Sequence, residues 1–131
     1  MCSNPQTTMR ITDVEPLVLR RDRVDTGRAD GTQDAFLVRV HTDQGIVGIG
    51  EADTSPYLAR TIVEMPSSHS IARGLAELLV GENPLEIDRL WQLMFHGSDH
   101  YGRGGAALHT ISAIDTALWD IAGKVAGRPI C

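Results

Sequence analysis

Cysteine is scarce: the two present, Cys2 and Cys131, stand at opposite ends of 131 residues. That excludes a disulfide framework and a Cys-x-x-Cys metal knuckle. No apolar run approaches the roughly 18 residues of a membrane span. The opening MCSNPQTT has neither the basic start nor the apolar middle of a signal peptide. Residues 1–8 therefore read as a disordered tail, and a cytoplasmic location is the expectation. Basic excess is missing too. The net charge is −5, which argues against a nucleic-acid partner and against polybasic contact with a membrane. There is no internal repeat and no low-complexity tract. What is there, 42% hydrophobic and 22% charged residues, is ordinary for a soluble globular chain with one modest core.

The front third alternates. RITDVEPLVLR, residues 10–20, reads as a strand, and Pro16 marks it as an edge strand or a bulged one. A polar stretch of about a dozen residues follows, and loops that long are usually functional or disordered. AFLVRVHT then puts Phe36, Val38 and Val40 on one face and Leu37, Arg39 and His41 on the other. Asp43, Gln44 and Gly45 make a turn into IVGIGEAD, a third strand. The pattern predicts a three-stranded antiparallel meander.

After Asp53 the period becomes helical. Thr54 or Ser55 can cap a first helix that starts at Pro56, with Leu58, Ile62 and Met65 on one side, and Pro66 ends it. A second helix is predicted within 67–83, with Ile71, Leu75, Leu78 and Leu79 on one stripe and Gly81 as its stop. Asn83, Pro84 and Glu86 resemble a cap, an N1 proline and a capping-box acid for a third helix, with Ile87, Leu90, Trp91 and Met94 inward. FHGSDHYGRGG reads as a loop. A fourth helix spans about 104–125, with a seam of Ala107, Ile111, Ile114, Leu118, Ile121 and Val125. Trp119, Ala122, Ala113 and Ala117 widen its apolar band beyond what one small helical layer needs. Asp115 lies inside that band and must find donors or stay near solvent. The fold class is α+β, a three-stranded antiparallel meander followed by about four helices.

Several groups invite chemistry. His96, Asp99 and His100 are close in sequence, but Gly97 and Gly102 put them in a loop, so capping or partner contact is a plainer role than metal binding. Gly102, Arg103, Gly104 and Gly105 could present free N–H groups to an anion at a helix start. The plainer role is a flexible lead into the helix. Arg20, Arg21, Arg23 and Arg28 interleave with Asp22, Asp25 and Asp30. Such clusters are solvated surface or a grip on an anionic substrate. Glu51 ends the third strand, with no second acid, lysine or metal set beside it. Nothing assembles a nucleophile, base and oxyanion donor, so the chain reads as a domain without a complete active site.

Two stretches carry a resemblance: T-D-x-G-x-V-G-x-G-E-A at 42–52 and S-A-I-D-x-A-L-W-D-I-A-G-K at 112–124. With their spacing, the chain from Met9 to Ile130 resembles the N-terminal capping domain of the enolase superfamily, in the mandelate racemase/muconate lactonizing enzyme branch. The resemblance implies a capping domain at 9–126 and a severed linker at 127–131 toward a TIM-type barrel. In such enzymes the barrel carries three carboxylate metal ligands and Lys or His bases. One or two Mg²⁺ ions stabilise the enediolate formed when an α-proton leaves a carboxylate substrate. No catalytic or metal residue of that kind is expected in this chain, and no cofactor for it alone.

Two loops of such domains close over the barrel mouth, here about 21–34 and 53–57. The resemblance makes Arg21, Arg23, Asp25, Arg28, Ser55 and Tyr57 substrate-contact candidates. The parent enzyme is expected to be a sugar-acid dehydratase, otherwise a racemase, epimerase or cycloisomerase, because the first loop is polar and arginine-rich. The alternative is a free-standing, non-enzymatic module that uses its wide helix face to bind a partner. That face also leads to an expectation of a homo-oligomer.

Overall fold

Alternation decides the sheet. In β2 (Asp34–Thr42) Phe36, Val38 and Val40 are fully buried, while Leu37, Arg39 and His41 on the opposite face are half-buried. Each buried side chain of this size contributes about 1.5–3 kcal/mol. β2 lies between β1 (Ile11–Arg20) and β3 (Val47–Ala52) in an antiparallel sheet of order β1-β2-β3. Pro16 pairs with Val38 on the edge strand, and the register shifts only between Ile11 and Asp13. This computed structural model describes residues 8–29, 32–102 and 104–130. Cys2, Asp30, Arg103, Cys131 and residues 1–7 of the expected tail lie outside them.

Among the described residues four helices follow the sheet: α1 (Pro56–Glu64), α2 (Leu75–Leu79), α3 (Ile87–Gly97) and α4 (Ala106–Ala126). The α+β architecture is as expected, but several details are corrected. α1 starts at Pro56, yet Ser55 caps it by position only, without a side-chain bond. Its inner face is Ala59, Ile62 and Val63, and Leu58 stays exposed. Positions 59, 62 and 63 form the i, i+3, i+4 stripe, and Leu58 lies one position round from it.

The expected second helix shrinks to five residues. Backbone groups ahead of it are used across the fold instead. Arg73 N–H donates to Gly97 C=O at 2.9 Å, and His100 N–H donates to Ile71 C=O at 2.9 Å. Gly74 is pressed on the Met65 carbonyl, where a Cβ would lie 1.8 Å from the oxygen. Ile71 is consequently exposed rather than on the stripe. Asn83 does not cap the third helix. Its Oδ1 accepts from Leu85 N–H and its C=O from Glu86 N–H, both at 3.1 Å. That turn delays the helix to Ile87. At its other end α3 absorbs Phe95, His96 and Gly97, which were expected in a loop.

α4 starts at Ala106, two residues later than expected, and stops at Gly127 in the left-handed region, φ 64°. The seam from Ala107 to Ile121 is buried, but Val125 and Trp119 remain 45% and 47% exposed. Its inner side meshes with β3. A Cβ on Gly48 would lie 2.0 Å from the Ala117 carbonyl oxygen, and one on Gly50 1.8 Å from that of Ala113. Two strand residues advance about 6.8 Å and four helical residues about 6.0 Å, so the two contacts fall in step. The order is inverted, which makes α4 run antiparallel to β3.

α4 also closes the free edge of β3. Asp120 Oδ2 accepts from Ile49 N–H at 2.9 Å and from Lys124 Nζ at 2.7 Å, and Lys124 Nζ donates to Val47 C=O at 2.7 Å. An edge strand left bare is a template for pairing with another chain. Burial pulls the Asp120 carboxyl upward, but the Lys124 ammonium and the Ile49 N–H together hold it below its ordinary value.

Candidate functional site

Strand register fixes where the loops leave. Arg20 pairs with Asp34, and Phe36 pairs with Ala52. The loop after β1 and the loop after β3 therefore emerge from the same end of the sheet. Two cavities of about 320 Å³ each open there and share Thr32, Asp34 and Ala35. Arg20, Arg21 and Gln33 add to the first; Glu51, Asp53 and Thr54 add to the second. The mouth thus offers cations on one side and carboxylates on the other. That suits a hydroxylated ligand, whose hydroxyls both donate and accept.

The six predicted contact residues are dispersed around this mouth. Arg21 lines the first cavity. Asp25 is held by the Gln33 side chain, and Arg28 sits 3.7 Å from the Asp25 carboxylate in an exposed pair. Such a pair is worth about 0–1 kcal/mol. Arg23 is exposed and lines neither cavity. Ser55 is exposed, and its carbonyl accepts the Ala59 N–H at 3.0 Å. Tyr57 is 54% exposed, and the Arg20 guanidinium lies over its ring. That contact joins the two loops.

Gln33, Asp34 and Asp53 were not among the predicted contacts. Their signal was modest: polar residues abutting the ends of alternating runs. Glu51, weighed in the sequence as a catalytic acid, lines the second cavity and is exposed.

The other candidates lie elsewhere. His96 Nδ1 is 4.0 Å from Asp99, while His100 meets the ring of His69 edge-on at 4.9 Å, so the two histidines serve different neighbours. Among the described residues, no three of His, Cys, Asp and Glu come together as a metal-holding set. Tyr101 donates to the Arg73 carbonyl at 2.8 Å, and burial pushes its phenol up to about 12. On the outer sheet face Glu15 accepts from Arg39 at 2.7 Å and meets His41 at 2.8 Å. Arg39, then His41, hold its carboxyl below the usual range.

Residues 9–131 match the family described as mandelate racemase/muconate lactonizing enzyme, N-terminal domain. Curated proteins that match carry the names of sugar-acid dehydratases for galactonate, rhamnonate and mannonate. A D-galactonate dehydratase family member of Paenibacillus sp. (strain JDR-2) is 44% identical over 96 residues, covering 72% of this chain and 22% of that protein. The chain thus spans about a fifth of the length of the curated relatives it matches. Among solved structures, a predicted mandelate racemase from Rhodobacter sphaeroides superposes with a TM-score of 0.79 at 31% identity, over 90% of this chain and 30% of that one. A mandelate racemase/muconate lactonizing protein from Paracoccus denitrificans PD1222, complexed with magnesium, superposes with a TM-score of 0.70 at 29% identity, over 91% and 28%.

Proposed function

The chain belongs to the mandelate racemase/muconate lactonizing enzyme family, as its N-terminal domain, and from that premise we propose that it is the substrate-capping part of an enzyme that removes the α-proton of a carboxylate substrate. The domain would occupy 9–126, and 127–131 would lead toward a catalytic barrel. The observation that supports this most is the shared mouth. Both loops leave one end of the sheet, and Arg20 reaches Tyr57 across them. Loops so placed can cover a reacting centre, exclude water and hold the far end of a substrate.

The most favoured chemistry is dehydration of a sugar acid, ahead of racemisation, epimerisation or cycloisomerisation. The mixed cations and carboxylates of the mouth suit the hydroxyls of such a substrate, and the names of the relatives point the same way. Arg21, Arg23, Asp25, Arg28, Ser55 and Tyr57 remain the proposed contacts, joined by Arg20, Asp34 and Asp53. Mg²⁺, when bound, would stabilise the enediolate left by proton loss. Among the described residues no such metal-holding set is present; the proposal places the ion on the barrel, and no step here runs through it.

The half-exposed Trp119 and Val125 of α4 and Ile130 just after it would be covered by the barrel or by a second copy in a homo-oligomer. No helix among the described residues is long and apolar enough to cross a membrane. A cytoplasmic enzyme without a nucleic-acid partner fits the net charge of −5.

The test is direct. The 131-residue chain and a longer form carrying a family barrel are assayed with Mg²⁺ against galactonate, rhamnonate and mannonate. Turnover is expected only from the longer form and is lost on chelation. Turnover by the chain alone would sink the proposal.

A further inference from the structure

Gln33 is the residue just before β2 and is only 9% exposed. Its side-chain amide makes two opposite bonds to a single residue eight positions back. Oε1 accepts from the Asp25 backbone N–H at 2.6 Å, and Nε2 donates to the Asp25 backbone carbonyl at 2.9 Å. One partner is a donor and the other an acceptor, so the amide has only one satisfying orientation. Gln33 is itself anchored, since its carbonyl accepts the Arg21 N–H at 2.9 Å and extends the β1–β2 ladder by one step.

Asp25 passes the constraint on. Its carbonyl also accepts the Arg28 N–H at 3.2 Å, and its Oδ1 accepts the Gly27 N–H at 2.9 Å. Residues 25–28 are thereby a closed turn tied to the sheet through one side chain. A loop that must be ordered when its ligand arrives loses affinity to that ordering; a loop already held does not.

We propose that Gln33 is the positioning residue of the turn at 25–28: its amide holds that turn in place beside the mouth, so the turn meets a substrate pre-shaped. The side chains of the loop, rather than its folding, then decide which distal group is accepted. This rests on the capping role proposed above, but the clamp itself can be measured without it.

Amide hydrogen exchange on this chain tests the clamp. Gln33→Leu keeps the side chain's size and removes both bonds. Exchange at Asp25 and Arg28 should quicken on the order of tenfold, with Val38 and Val40 unchanged. Gln33→Glu supplies the sharper readout. As a carboxylate it accepts from Asp25 N–H but repels the Asp25 carbonyl. As a neutral acid it can make both bonds. Protection of Asp25, corrected for intrinsic exchange, should therefore recover as pH falls through that carboxyl's titration. A spacer role would show no such recovery. Wild-type protection of Asp25 in Gln33→Leu, or a pH-independent Gln33→Glu, overturns the clamp. If Gln33→Leu also exposes Val38 and Val40, the Gln33→Glu profile decides. In the longer form carrying a barrel, Gln33→Leu should raise KM for the sugar acid about tenfold with kcat within about twofold. An unchanged KM overturns the part played in substrate acceptance. Absence of turnover from the wild-type longer form counts instead against the capping role, and leaves the exchange result standing.

Discussion

The Arg20 guanidinium lies 5.9 Å from the centre of the Tyr57 ring. Arg20 is the last residue of β1 and Tyr57 the second of α1, so this contact is where the loops after β1 and β3 meet. A cation over an exposed aromatic face is worth about 0.5–1 kcal/mol. Tyr57→Phe should therefore leave thermal stability unchanged, since the ring remains. Tyr57→Leu and Arg20→Gln should show a coupling of about 0.5 kcal/mol in a double-mutant cycle. Strict additivity of the two would remove the contact as a link between the loops.

Gly50→Ala is expected to be a strongly damaging small change. The added methyl would lie 1.8 Å from the Ala113 oxygen, a backbone atom that cannot swing away. Overpacking of this kind costs about 3 kcal/mol. Gly45→Ala is the control: it has open space around it but a φ of +75°, so its cost is local backbone strain alone. Urea melts of the two variants should separate these effects, and a mild Gly50→Ala would refute the close mesh of strand and helix.

Asp120→Asn should loosen the covered edge of β3. The variant still offers an acceptor to Ile49 N–H but loses the charge that holds Lys124. A loss of about 1 kcal/mol is expected, modest because the pair is partly exposed. Exchange at the Ile49 amide should quicken, and self-association at high concentration should rise as the edge opens. Unaltered exchange at Ile49 would show that the edge is held by other means.

Asp115 makes stability depend on pH in the unusual direction for an acid. Burial comes first and nearby Asp88 second in raising its carboxyl above the ordinary value. A folded pKa above the unfolded one means that the ionised group costs stability, and that this cost vanishes once pH falls below the unfolded value of about 4. Asp115→Asn should raise Tm at pH 7, and the gain should fade by about pH 3.5. A lower Tm at pH 7 would mean that the carboxylate has a favourable partner after all.

Legibility in the sequence followed the range of the forces involved. The strands were plain because Phe36, Val38 and Val40 alternate with Leu37, Arg39 and His41 on the other face, and this pattern is local. α4 was plain because its seam repeats over five turns. The stretch at 67–74 misled because its apolar spacing is helical, while its backbone bonds go to Gly97 and His100, more than 20 residues away. Leu58 misled because the inner stripe runs through 59, 62 and 63, one position round from it. At the mouth, the arginines and Tyr57 were visible by residue type. The bond from Gln33 to Asp25 was not, since a glutamine before a strand looks like any polar residue until the turn folds back on it. The polar trio of Glu15, Arg39 and His41 was equally hidden, because cross-strand partners are fixed by register rather than by spacing.

The mesh between Gly48–Gly50 and Ala113–Ala117 acts as a vernier. Strand steps of about 6.8 Å and helix steps of about 6.0 Å differ by about 0.8 Å per interval, so they match over one interval and are out of step after several. Only one setting of α4 along β3 satisfies both contacts, so the helix cannot creep lengthwise by a fraction of a turn. Glu51 and Asp53 ride on the end of that same strand. Their height at the mouth is thus gauged by two carbonyl oxygens of α4, packed against the glycines of β3.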